Sequence, residues 1–154
     1  KSARISAQRA NIYVGYGSKL KLGKSVSIGP GVNIIVKDKA SLSIGENTYF
    51  TSDMHLEVLN AVKIGNNCAI SWGVTIIDDD HHQIIPISTK NSLPKTVVIG
   101  DNVWVGCNVT ILKGTQIGKN SVVAAGSVVK GIFPDHVLIA GNPAKLVKQG
   151  ISWV

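Results

Sequence analysis

The chain has 154 residues and a net charge of +7, with 16 Lys and Arg against nine acids. It is long enough for one domain with a real core, and its wealth of Val, Ile and Gly beside few aromatics favours strands and turns over helices. Two cysteines, Cys68 and Cys107, make neither a disulfide framework nor a CxxC metal site, and no run reaches the length of a membrane span or reads as a signal peptide.

These features make a reducing cytoplasm the expected setting. The chain opens at Lys1 rather than Met, which leaves room for an upstream segment. Nucleic acid is one reading of this charge, but the basic residues are scattered and few aromatics stand among them. A small polyanion or an acidic polymer fits as well, and composition alone does not decide.

Residues 1–21 read as an irregular start. From Leu22 an aliphatic residue recurs at every sixth position: Leu22, Ile28 and Ile34, then Ile44, Phe50 and Leu56, then Ile64, Ile70 and Ile76. The series resumes at Ile99, Val105 and Ile111 and continues at Ile117, Val123 and Val129. Four places after these markers stand small or β-branched residues such as Thr48, Cys68, Val74, Val103 and Ser121. A period of six is a short strand plus a corner. Alternation turns the marker and the residue four later inward, and Gly and Asn supply the corner conformations. Three units of six return the chain over itself, so the spacing predicts a parallel β-helix of triangular coils over 22–133. A short C-terminal segment, 134–154, follows in the same single domain, 1–154.

The interruptions carry information. Equivalent markers are 22 residues apart from Leu22 to Ile44, 20 from Ile44 to Ile64, 35 from Ile64 to Ile99, and 18 from Ile99 to Ile117. Every excess therefore falls after the third marker, at one corner of the triangle. The longest is an extruded loop, 77–98, that opens with "DDDHH" at Asp78 to His82. Loops on a rigid scaffold are where function concentrates.

Four segments in order, "DDDHH", "IGDNVWVGCNVTILKG" from Ile99, "VVAAGSVV" from Val122 and "FPDHVLIAGNPAKLVK" from Phe133, resemble the hexapeptide-repeat acyltransferases. The likeness runs from about Leu22 to Lys148 and is strongest to the maltose, galactoside and surface-polysaccharide O-acetyltransferases. It implies an all-β, left-handed parallel β-helix, a homotrimer with active sites shared between subunits, and acetyl transfer from acetyl-CoA to a sugar hydroxyl. The acceptor it implies is a capsule, lipopolysaccharide or sialic-acid-containing glycan.

Residue by residue, the family's D-x-D-x-H pattern falls on Asp78, Asp80 and His82. His82 then takes the general-base position, Asp80 or Asp78 can orient it, and His81 fills the variable place. The resemblance puts Trp104 beside the pantetheine arm, the Cys107 N–H toward the thioester and Ala125 in the pantetheine channel. It puts Lys130, Lys145 and Lys148 near the CoA phosphates or adenine. Ser52 stands where an acceptor-contacting Asn is common, and His55 lies near the same cleft. Asp78 and His81 are counted with these two toward the acceptor.

The residue types suit the chemistry. Neutral imidazole accepts a hydroxyl proton near neutral pH, a carboxylate fixes its tautomer, and a backbone N–H stabilises the oxyanion whatever its side chain. Neither cysteine sits beside a base that would make it a nucleophile, so direct transfer is expected. No metal is expected, because the histidines, at 55, 81, 82 and 136, lack the five-residue spacing of a zinc-binding relative of the fold. Two other readings are a small-molecule (antibiotic-type) acetyltransferase and a non-enzymatic β-helix scaffold or binder. The histidine-bearing loop argues against the scaffold.

Overall fold

A computed structural model describes residues 9–82 and 95–154. The strands form three parallel sheets that the chain visits in strict rotation. The first sheet comprises Asn11–Val14, Asn33–Val36, His55–Val58, Thr75–Ile77, Thr110–Ile111 and Val128–Val129. The second comprises Lys19–Leu22, Ser41–Ile44, Ala61–Ile64, Val97–Ile99, Gln116–Ile117 and Ile132–Phe133. The third runs from Ser27–Ile28 through Tyr49–Phe50, Ala69–Ile70, Trp104–Val105 and Val122–Val123 to Val137–Gly141, with Ala144–Gln149 added antiparallel at its end. This is a triangular β-helix, and among the described residues no helix is long and apolar enough to cross a membrane.

The markers pair with one another. Leu22 lies beside Ile44, Ile44 beside Ile64, Ile64 beside Ile99, and Ile99 beside Ile117. Those partners are the spacings of the sequence, and the extra residues leave between the first sheet and the second. The interior is a stack of aliphatic columns, with Ile34, Leu56, Ile76 and Ile111 forming one of them at near-zero exposure. The small residues four places on close the corners. The Thr48 hydroxyl donates to the Gly65 carbonyl at 2.8 Å, and Ser127 donates to Ala124 at 2.7 Å, so these two buried hydroxyls carry their own partners.

Glycine is needed where corners touch. A Cβ at Gly65 would stand 2.4 Å from Asp101 Oδ1. At the corner between the second and third sheets Asn47, Asn67, Asn102, Asn120 and His136 all adopt positive φ, a conformation Asn tolerates well. Their side chains bond in two runs, Asn47 to Asn67 and Asn102 to Asn120, the second ending in a 3.3 Å contact between Asn120 and His136. His136 is thus a structural rung.

Both ends differ from expectation. Regular coiling begins at Asn11, within the segment read as irregular, because Asn11–Val14 and Lys19–Leu22 pair in register with the coil above. The six-residue beat is hidden there by longer strands and corners. Ile12 (41%), Val14 (45%) and Leu22 (42%) are exposed, their strands being the outermost of their sheets among the described residues. At the other end, Val137–Gly141 continues the third sheet before the chain reverses. Of the expected loop, residues 83–94 lie outside the described residues, as do 1–8 at the start.

Asp78 explains how the excursion leaves the body. Ile77 pairs with Glu57, so Asp78 takes the inward place that Val58 holds one coil below, and it is fully buried. Its carboxylate accepts three backbone N–H bonds, from Leu59 at 2.7 Å, Asn60 at 2.8 Å and Ala61 at 2.6 Å. Replacing Asp78 with Ala orphans three donors, each costing about 1–3 kcal/mol. Urea denaturation should show Asp78→Ala losing at least about 3 kcal/mol of stability and Asp78→Asn, which keeps one oxygen acceptor, losing less.

Candidate functional site

The outward rows of the first sheet follow from the same register. One row is Asn11, Asn33, His55 and Thr75; the next is Tyr13, Ile35, Glu57 and Ile77. Polar side chains link along the first row. Asn11 donates to Asn33 at 2.8 Å, and Asn33 approaches His55 Nδ1 at 3.3 Å.

Above this face the chain turns sharply at His81, whose φ is 58°. The turn is held by Asp79, which accepts the His81 N–H at 2.8 Å and the Lys95 ammonium at 2.6 Å. Asp79 lies on the outgoing limb of the loop and Lys95 on the returning limb, so the pair clasps its neck. The Lys95 hydrogen bond, then the His81 N–H, pull the Asp79 carboxyl down to about 2 against the weaker opposing effect of burial. Lys113 adds a second clasp by pairing with Asp80.

The turn delivers His81 Nε2 to 3.3 Å from Glu57 Oε2. His55 Nε2 lies 3.8 Å from the same oxygen, and Lys37 Nζ lies 3.1 Å from Oε1. Burial pushes the Glu57 carboxyl up, but the hydrogen bond and charge of Lys37, with the two imidazoles, outweigh it and hold the group below its usual value. Glu57 is therefore an anion at neutral pH, 15% exposed, between half-open histidines. Among the described residues no three His, Cys, Asp or Glu side chains converge as a metal site.

Several expected residues fall elsewhere. Asp78, expected to face the acceptor, is committed to backbone and sealed from solvent. Asp80, expected to orient His82, pairs instead with Lys113. His82 is exposed, and the carboxylate partner falls to its neighbour His81. Glu57 and Lys37 were missed. Their signal was the 20-residue offset, which sets Glu57 beneath Ile77, at the foot of the loop.

The residues expected near the donor lie away from this cluster. Cys107 and Ala125 stack at the corner between the third and first sheets, in one column with Trp72 and with Ser52, the residue expected to contact the acceptor. Successive backbone bonds join the column: Gly73 to the Ser52 carbonyl, Asn108 to Trp72, and Gly126 to Cys107. The Cys107 N–H donates to no backbone acceptor among the described residues. Trp104 faces outward from the third sheet, half-exposed, with Nε1 3.3 Å from Ser71 Oγ. Trp153, also missed, tilts against it at 6.2 Å between ring centroids and donates to the Asn102 carbonyl at 2.7 Å. Lys145 and Lys148 are exposed on the final strand, and Lys130 is exposed just past the first sheet. None of these joins the Glu57 and His81 cluster within one chain.

The family described as bacterial transferase hexapeptide (six repeats) matches residues 96–131. A protein of Escherichia coli K12 named for O-acetyl transfer in lipopolysaccharide biosynthesis is 33% identical, across 89% of this chain and 75% of its own. A polysialic acid O-acetyltransferase of Escherichia coli O1:K1 is also 33% identical, across 94% of this chain but only 41% of its own length. Among solved structures, a maltose O-acetyltransferase of Clostridium difficile superposes with a TM-score of 0.58 at 27% identity, covering 92% of this chain and 70% of that one. The chain belongs to the hexapeptide-repeat acetyltransferases and has their left-handed β-helix fold.

Proposed function

We propose that the protein transfers acetyl from acetyl-CoA to a carbohydrate hydroxyl, with His81 as general base and Glu57 as its orienting carboxylate. The observation that carries this is the 3.3 Å approach of His81 Nε2 to an anionic, largely buried Glu57 beside the loop neck. With Nε2 turned toward Glu57, the imidazole keeps Nδ1 for the acceptor hydroxyl. As the hydroxyl oxygen bonds to the acyl carbon and the carbon–sulfur bond breaks, His81 takes the proton and can return it to the leaving thiolate. Glu57 stabilises the imidazolium between these events, as a triad carboxylate does. The Cys107 N–H suits the oxyanion, since it has no acceptor among the described residues.

Relatives named for lipopolysaccharide, colanic acid and polysialic acid support a glycan acceptor. Acetyl-CoA as donor and the free thiols of Cys68 and Cys107 support a cytoplasmic setting.

The separation of the two residue groups supports a shared site. His81 and Glu57 lie toward one edge of the first sheet and the column of Cys107 and Ala125 at the other, so a neighbouring copy brings the two together in a closed threefold assembly.

His81→Ala should lower kcat at least about a hundredfold with the acetyl-CoA KM nearly unchanged, as loss of a positioned base does. Glu57→Gln should fall in between, and His82→Ala should matter less than either. A dead His82→Ala beside an active His81→Ala returns the base to His82.

For the donor, acetyl-CoA at millimolar concentration should raise Tm. Lys145→Ala or Lys148→Ala should shrink that shift, most of all at low salt. An unmoved Tm favours the scaffold reading.

For the assembly, sedimentation should give a trimer. Mixing His81→Ala subunits with Lys145→Ala/Lys148→Ala subunits should restore activity at hybrid sites. A fully active monomer removes the shared site.

A further inference from the structure

Beside Glu57 the first sheet opens into a groove of about 510 Å³ lined by Tyr13, Lys37, Asp38 and Leu59. Its volume lies in the range of small-ligand sites. Nothing in the acetyl-transfer chemistry uses it, yet it is continuous with the site, because Lys37 both lines it and bonds Glu57 at 3.1 Å. Tyr13 stands in the outward row that leads through Ile35 to Glu57, and the residue is 53% exposed. Two strand spacings separate Tyr13 from Glu57, about 10 Å.

We propose that this groove is an extended acceptor subsite that holds a neutral pyranose ring adjoining the sugar that is acetylated. The inference rests on the carbohydrate reading above. A pyranose has an apolar face of C–H groups and a rim of hydroxyls. Tyr13 and Leu59 offer a flat aromatic ring and an aliphatic wall to the face. Asp38 and Lys37 offer an acceptor and donors to the rim. Asp38 Oδ1 already takes the Tyr16 N–H at 2.9 Å, which fixes the carboxylate and leaves Oδ2 for a hydroxyl. Lys37 is fixed by Glu57 and still has two ammonium protons to give.

The charge pattern selects a neutral ring. Two carboxylates, Asp38 and Glu57, flank the single ammonium of Lys37, so an acidic sugar would meet more repulsion than attraction. The distance selects an oligosaccharide. A ring against Tyr13 lies too far from His81 to present its own hydroxyl, so it must be linked to the ring that does.

The test compares methyl monoglycosides with neutral tetrasaccharides of glucose, galactose, mannose and N-acetylglucosamine. The wild type should acetylate at least one tetrasaccharide with kcat/KM about tenfold above its monoglycoside. Tyr13→Ala should abolish that advantage through KM while leaving the monoglycoside and acetyl-CoA constants unchanged, and Tyr13→Phe should retain it. Equal losses on both acceptors, or no loss on either, overturn the subsite.

Saturation-transfer NMR without acetyl-CoA separates this inference from the reaction it rests on. Tetrasaccharide contact with the wild type but not with Tyr13→Ala supports the subsite even where no acetyl is transferred, an outcome that counts against the proposed reaction alone. No contact by any tetrasaccharide overturns the subsite, whatever the activity on monoglycosides.

Discussion

Parallel backbone pairing between successive coils governs everything else in this molecule. Each strand of the coils is hydrogen-bonded to the equivalent strand one coil away, on all three faces, and only the added Ala144–Gln149 departs from this among the described residues. A slip of one residue on any face would turn its inward aliphatic side chains to solvent. The sides of the triangle therefore cannot absorb extra residues. Offsets of 22, 20, 35 and 18 residues between paired markers are accommodated where the chain leaves the first sheet for the second. Variation at that corner is compatible with an unchanged core, and the corner carries the histidines.

The same alternation divides the acidic run. Ile76 points in and Ile77 out, so Asp78 must point in, where valines stand in earlier coils. A buried carboxylate is tolerable only when its lone pairs are filled, and three backbone donors from the preceding corner fill them. Asp79 and Asp80 stand beyond the strand and are bound by Lys95 and Lys113. Three adjacent aspartates thus do three jobs: one anchors the departing chain, one shapes the turn at His81 and clasps the neck, and one ties the loop to the coil above. Among the described residues none of the three is paired with His82.

The fold was legible because period six and its interruptions are one-dimensional signals, and the register followed from them by counting. Asp78 was misread because the motif was weighed as a cluster, whereas its burial was implicit in the alternation from Ile76. Glu57 was harder. Its glutamate is an ordinary outward residue of a strand, and only the 20-residue offset brings it under Ile77. The turn at His81, with a φ of 58°, then decides which imidazole meets it, and backbone sign at one residue is not written in a pattern of residue types. Trp153 reaches Trp104 through the reversed C-terminal strand, whose antiparallel pairing lies outside the six-residue beat.

A prism of short strands has a consequence for catalysis. Its interior is filled by side chains, so no cavity of the fold can enclose two substrates, and chemistry must take place on an outer face. One face of this chain carries the imidazole and its carboxylate at one edge and, at the other, a column of corner residues whose Cys107 N–H has no acceptor among the described residues. An open face leaves a reacting thioester in water, where each electrostatic contact is weakened. Packing a second prism against that face would exclude the water and add the missing wall. In the proposed trimer the interface and the active site are then the same surface, and the rigidity of the coils, which fixes each edge, sets the geometry across it.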